Sequence, residues 1–285
     1  MKLVISFFLL FIINSNIFAQ SLEDSTKIDL HVNLMPGETY FYSTTNKQNI
    51  IQEILGEKIE INQEFVTEYK YLIESSEDNS IKIKATFERI ELFIDSPEDQ
   101  IEYSSSQNSS DSRFSMLNNL IGKSFHIFMN ATGKVYKITD FEALTKDLKL
   151  GKTVQHLLTD SSVQSSLNMD IYSNDAVVMG ESWNKTNVID VANLKLKSDL
   201  IYTLEGTSED LVWLNVNGKV SGNGTSNDFD MDLNGTQTGT IETDLKSGMI
   251  SSGDTKLEIE AVIKSLDLEI PLKVISETKI TSRKL

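Results

Sequence analysis

Three histidines, His31, His126 and His156, and a complete lack of cysteine set the first limits on the chemistry open to this chain. Without a thiol there is no cysteine nucleophile, no zinc–thiolate site and no haem attachment. The histidines are far apart in sequence, and none belongs to an H-E-x-x-H pair of helical metal ligands. His126 stands between Phe125 and Ile127, where a strand turns it away from two apolar neighbours, so it reads as an ordinary strand-face residue. No G-x-S-x-G elbow, phosphate loop or dinucleotide glycine pattern occurs. The glycine-rich GNGTSN, Gly222 to Asn227, has no lysine and no helical pattern after it, and reads as a turn. Carboxylates are abundant, yet no two stand out as an acid and a base in contrasting surroundings. No catalytic, cofactor-binding or metal-ligating residue is therefore assigned, and no cofactor is expected.

DMDLNG, Asp230 to Gly235, comes nearest to a metal motif. Asp230, Asp232, Asn234 and Gly235 occupy positions 1, 3, 5 and 6 of a calcium-loop pattern. The pattern fails at position 12, where Ile241 replaces the bidentate glutamate and Glu242 comes one place late. Phe229, Met231 and Leu233 alternate with Asp228, Asp230 and Asp232, which predicts a strand with one apolar and one acidic face.

The elements that would position any site are mostly strands. Over Ser80–Asp95, Ile81, Ile83, Ala85 and Phe87 alternate with Lys82, Lys84, Thr86 and Glu88, and Lys256–Ile280 alternates in the same way. One wet face implies antiparallel pairing. Pro271 suggests an edge or a bulge in the last arm. Turn signals at Leu55-Gly56, Asp78-Asn79, Thr132-Gly133, Asn217-Gly218, Ser221–Asp228 and Ser247-Gly248 divide a meander of about eleven or twelve strands. The centre differs. Phe114, Leu117 and Leu120 within Asp111–Gly122, and Phe141, Leu144, Leu148, Val154, Leu157, Leu158, Val163 and Leu167 within Asp140–Tyr172, predict short amphipathic helices.

Two landmarks occur twice in the same order. Gly37-Glu38-Thr39-Tyr40 is answered by Gly180-Glu181-Ser182-Trp183, and the hairpin around Ile127, Asn130 and Gly133 by the one around Ile241, Asp244 and Gly248. Tyr40 and Trp183 are thus expected to be matching core anchors, and Trp213 is also expected in the core. The fold expected is mainly β (α+β), with internally duplicated antiparallel sheets of long meandering strands and short amphipathic helices in the central segment. A half-barrel is one form such a sheet can take. The expected division is 1–19 signal peptide, 20–138 first β-rich repeat, 139–178 helical linker or lid, and 179–285 second β-rich repeat.

Met1-Lys2, the apolar run Leu3–Phe18 and the small Ala19 read as a secretory signal with cleavage after Ala19. Its removal leaves about 266 residues, enough to bury a substantial core, with no later transmembrane span. Lack of cysteine excludes a lipoprotein anchor at an N-terminal Cys. A net charge of −16 argues against nucleic acid and anionic membranes as partners. The location expected is periplasmic or secreted.

PGETYFY, IIQEILGEKIEI (Ile50–Ile61), LIGKSF (Leu120–Phe125), MGESW and LNGTQTGTIETDLKSGM (Leu233–Met249) together resemble a family of exported bacterial proteins known as a domain of unknown function. The resemblance spans nearly all of the mature chain and implies an envelope protein with no assigned activity and no site residues to carry over. Three classes follow. The first is a binding module for a lipid, another apolar ligand or an envelope component; the second is a structural or protein-interaction module; the third is an unrecognised hydrolase. The first, non-enzymatic, is the expectation.

Overall fold

The computed structural model describes residues 27–77, 79–107, 112–146, 148, 158–159, 163–164, 166–191, 194–225, 230–265 and 268–285. The expected signal segment, His156, Asp78, Asp111, Val154, Leu157, Asp228 and Phe229 lie outside the described residues.

Twelve strands form one antiparallel sheet: β1 (Thr39–Ile54), β2 (Glu57–Glu77), β3 (Ser80–Asp95), β4 (Gln100–Ser104), β5 (Ser124–Met129), β6 (Val135–Thr139), β7 (Ser182–Val191), β8 (Leu194–Thr207), β9 (Leu211–Thr225), β10 (Asp230–Asp244), β11 (Ile250–Ser265) and β12 (Leu268–Lys284). Their order is β6-β5-β3-β2-β1-β12-β11-β10-β9-β8-β7, with β4 paired to β3 off this path. The chain starts at the centre, meanders out to β6, crosses to the far edge at β7 and meanders back. β12 then pairs with β1 from Tyr40↔Lys284 to Gln52↔Leu272. The sheet stays open, with β6 and β7 at its two ends.

Local chemistry accounts for these elements. In β3, Ile81, Ile83, Ala85 and Phe87 are all buried, as the period of two requires. Leu55 and Gly56 both have positive φ, 53° and 84°, the conformation of a two-residue hairpin turn that matches strand twist.

The two halves repeat each other in backbone detail. The Gly37 N–H donates to Ile73 O, and the Gly180 N–H to Leu204 O, each at 2.8 Å. The Glu38 carboxylate accepts from Met35 N, as Glu181 does from Val178 N. Glu74 bulges out of β2 between Ile73 and Ser75, and Glu205 out of β8 between Leu204 and Gly206. A second bulge, at Tyr136 opposite Phe128 and Met129 and at Ser251 opposite Glu242 and Thr243, adjoins a turn closed by Asn130 in one half and Asp244 in the other, with Gly133 and Gly248 at positive φ. Tyr40 faces Tyr71 across β1 and β2, and Trp183 faces Tyr202 across β7 and β8. β1, β2, β3, β5 and β6 correspond in sequence order to β7, β8, β9, β10 and β11, with β4 and β12 outside the repeat, and the halves join edge to edge through β1 and β12.

Several expectations need correction. Asn217-Gly218 and Ser221–Thr225 are not turns but lie inside β9. Backbone pairing on both sides overrides their turn preference, and a Cβ at Gly218 would stand 2.2 Å from Asp199 O. Pro271 lies in an interior strand, yet beyond the last β1 pair at Leu272, so its missing N–H costs no ladder bond on that side. The first helix is a 3-10 helix, Ser112–Leu120, because Phe114, Leu117 and Leu120 recur every three residues and all three are buried. α1 (Phe141–Thr145) is a single short turn, and Asp140 makes no capping bond to it. Trp213 is not in the core. It is on the outer face, 38% exposed, covering Gly206 and donating its indole N–H to Glu242 Oε2 at 3.0 Å.

The main core fills one end of the sheet's inner face, where Tyr69, Phe87, Phe125 and Phe141 form a run of ring contacts. An extended stretch before β1, with Leu30, Val32 and Leu34 all buried, lies across that end and bonds to both repeated turns, Val32 N to Ala131 O and Asn33 N to Ser247 O.

Candidate functional site

Below this core the inner face changes character. On β1 the inward residues run Tyr40, Tyr42, Thr44, Asn46 and Gln48, and their neighbours across the ladders are Thr67 and Gln63 on β2 and Thr278 and Ser276 on β12. These groups bond to one another. Thr44 and Thr67 share a hydroxyl bond at 2.8 Å, the Asn46 amide donates to Ser276 Oγ at 3.0 Å and Thr278 Oγ1 at 2.8 Å, and the Gln63 amide donates to Gln48. Thr255, Gln237 and Ser198 carry the belt of amides and hydroxyls on to β11, β10 and β8.

The gap between the sheet's two ends is bridged by residues 163–164 and 166–172. On the β6 side, Gln164 Nε2 donates to Val135 O at 2.8 Å and Val135 N to Asn168 Oδ1 at 3.0 Å. On the β7 side, Trp183 Nε1 donates to Ile171 O and Lys185 Nζ to Asp170 Oδ1, each at 2.7 Å. Asp170 also accepts from Thr132, and Tyr172 donates to Gly248 O. Val163, Leu167, Met169 and Ile171 are buried within the main core, so this bridge is part of it as well as a roof.

Between roof and belt lies a cavity of about 620 Å³. Side chains from β1, β2 and β7 through β12, together with Val135 at the opposite edge, border it, so the sheet curls round it as a half-barrel. Phe65, Tyr69, Leu158, Val163, Leu200, Tyr202, Val216 and Ile280 supply apolar wall, and the belt supplies the rest. Lys134, exposed at the rim, is the one charged residue of the lining among the described residues. Burial holds the phenol of Tyr69 up to about 12 and raises that of Tyr202, so both wall residues stay neutral. A hollow of about 660 Å³ near Val262 and Pro271 is wide open at the strand tips, and one of about 590 Å³ near Met35 and Lys246 lies outside the half-barrel.

The outer face is charged. Lys47–Glu64, Arg89–Glu68, Lys197–Asp199 and Lys279–Asp254 are ion pairs there. A bilayer-spanning barrel needs an apolar band on that face. No helix among the described residues is long and apolar enough to cross a membrane.

The residues singled out from sequence are not brought together. His126 is on the outer face, bonded to Asp140 Oδ2 at 2.7 Å and 3.4 Å from Glu74, and the His126 bond holds the Asp140 carboxyl below its ordinary range. His31 is half-exposed beside Asp29. Asp230–Gly235 lies in β10 with Leu233 inward and Asp230 and Asp232 exposed. No group of three or more metal-ligating side chains occurs among the described residues. The belt escaped sequence reading because Thr, Asn, Gln and Ser at inward positions look like the ends of an apolar alternation; its signal is that they follow Tyr40 and Tyr42 in the same phase.

A family model described as a family of unknown function, DUF6263, matches residues 78–250, in agreement with the resemblance read from sequence. The chain belongs to this family. No curated protein matches the sequence. Among solved structures, a lipovitellin studied for its lipid–protein interactions shares 11% identity with a TM-score of 0.51, over 88% of this chain and 25% of that one. The chain thus spans a quarter of the lipovitellin chain, and the likeness is one of fold. An outer membrane channel from Pseudomonas putida F1 gives 7% identity and a TM-score of 0.26, over 88% of this chain and 97% of the channel. OccK2 from Pseudomonas aeruginosa gives 5% and 0.25, over 87% and 99%. The two channels carry no argument about this fold.

Proposed function

We propose that this protein is an exported, non-enzymatic envelope protein that binds an apolar ligand in the cavity between belt and roof. The observation that carries this reading is the lining itself. The sequence holds 42 acidic and 26 basic residues, yet among the described residues Lys134 is the sole charged group on a concave surface built from strands far apart in sequence. Concave, mostly apolar sites with a few polar groups are where small molecules bind. The lipid–protein interactions named for lipovitellin, a quarter of whose chain resembles this fold, support the same class of ligand. In this reading residues 1–19 direct export, 20–138 and 179–285 form the two repeats, and 139–178 closes the site. The ion pairs on the outer face support a water-exposed protein in the periplasm or outside the cell.

The test is mass spectrometry of organic extracts from protein purified out of its native envelope without detergent. An apolar molecule near one per chain is the expected result. A clean extract from folded protein would remove the ligand reading and favour an interaction module, to be sought by cross-linking.

A further inference from the structure

The lining also restricts what kind of apolar molecule fits. We propose that the ligand is an amphiphile with an uncharged polar head, its hydroxyl, ester or amide groups set against the belt and its tail against the apolar wall under the roof. This rests on the reading of the cavity as a ligand site and adds the class and orientation of the ligand.

Three bands succeed one another along the inner face. The first is the main core with its roof and the second is the belt. The third is a separate apolar cluster, in which Val220, Leu233 and Ala261 are buried with Leu257, Ile259 and Leu272 against them. On β12 the belt residue Ser276 and Leu272 are four residues apart, about 13 Å at the rise of a strand. This second cluster does not line the cavity, so the belt is a polar zone bounded by apolar residues on both sides, and the wall under the roof matches the tail of a molecule whose head meets the belt.

The belt has hydrogen-bonding capacity beyond what it uses on itself. Thr44 and Thr67 share one hydrogen between two hydroxyls, and Thr67 is also bonded to the Tyr69 phenol, so this pair is spent largely on its neighbours. Asn46 spends its amide hydrogens on Ser276 and Thr278, whose own hydroxyl hydrogens then point elsewhere, and Ser276 is only 5% exposed. Neutral donors and acceptors in a low-dielectric place suit a neutral polar head. They do not suit a carboxylate or ammonium, because a buried charge without a counter-charge is far costlier than a buried hydroxyl with a partner. Lys185 cannot serve as that counter-charge, since Asp170 already holds it, and Lys134 is exposed at the rim beside β6 rather than among the belt groups.

Trp183 reports on the site, because its ring lies 6.2 Å from that of the wall residue Tyr202. The Trp213→Phe protein makes it the sole tryptophan. Its emission is followed while a monoacylglycerol, the fatty acid of the same chain length and the matching alkylammonium are added below their micelle concentrations. The monoacylglycerol is expected to saturate at about ten-fold lower concentration than either charged partner, a gap of about 1.4 kcal/mol. Asn46→Asp, which puts a charge in the belt, and Asn46→Leu, which removes its polar capacity, are each expected to weaken it about ten-fold. Circular dichroism checks that both variants fold. If the fatty acid or the ammonium binds as tightly as the monoacylglycerol, or if Asn46→Leu binds it unchanged, the neutral-head assignment is overturned while the apolar-ligand reading stands. If none of the three binds, and extracts of the native protein hold no apolar molecule, both fail.

Discussion

Gly133 and Gly248 hold equivalent places in the two halves, and each lies against a passing backbone at the same distance. A Cβ at Gly133 would stand 2.1 Å from Met169 O, and one at Gly248 would stand 2.1 Å from His31 O. The first contact fastens the roof and the second fastens the stretch before β1, so one repeated turn is used twice as a clasp.

Alanine at either position is therefore expected to destabilise the protein by about 3 kcal/mol, from backbone overlap added to a positive φ. Gly37 and Gly180 share the positive φ but face open space, so alanine there is expected to cost about 1 kcal/mol. Urea denaturation of the four variants checks the contrast.

Lys185 and Asp170 pair with side chains 12% and 10% exposed. Lys185→Met alone leaves a carboxylate with little water and is expected to cost about 3 kcal/mol. Adding Asp170→Leu is expected to restore more than half of that, since both charges are then gone. A double-mutant cycle in urea measures the coupling.

Alkali is expected to unfold the protein through its buried phenols. Unfolded, Tyr69 ionises near its ordinary value of 10.0; folded, burial keeps it neutral up to about 12. The unfolded chain thus loses its proton first. Stability is unaffected below pH 10 and falls as the pH rises toward about 12, by about 3 kcal/mol for this residue alone. Tyr42, Tyr71 and Tyr172 are raised by burial in the same direction. Phenolate absorbance and circular dichroism followed together should change in one transition. Titration of these phenols with the fold intact would refute the account.

Deleting residues 139–172 is expected to abolish cooperative unfolding rather than merely uncover the cavity. Phe141, Val163, Leu167 and Met169 belong to the main core, and their loss exposes the ring cluster around Phe125. Thermal denaturation of the deletion protein decides this. A retained sharp transition would make the segment a dispensable cover.

The strands were legible because alternation and turn residues act locally, and the duplication because the Gly-Glu landmark and the glycine hairpin recur in the same order. The errors have a common origin. Gly218 and Trp213 each follow a local preference in isolation, yet pairing on both sides keeps Gly218 in a strand, and the β8 bulge with its bare Gly206 gives Trp213 a seat outside the core. The site was not legible at all. Asn46, Gln237 and Thr278 become neighbours of one cavity only through sheet order, which no window of sequence contains.

The pairing of β1 with β12 also sets an order of events. Tyr40 meets Lys284, and Gln52 meets Leu272, so the middle of the sheet joins residues more than two hundred positions apart. Neighbouring strands elsewhere can zip through short turns, but this closure carries the slow search that goes with distant contacts. Until the last strand emerges, both halves present a bare strand edge, β1 on one and β11 on the other. A sheet built in this way cannot close until β12 is available, and in the interval it depends on whatever keeps those two edges from pairing with the wrong partner.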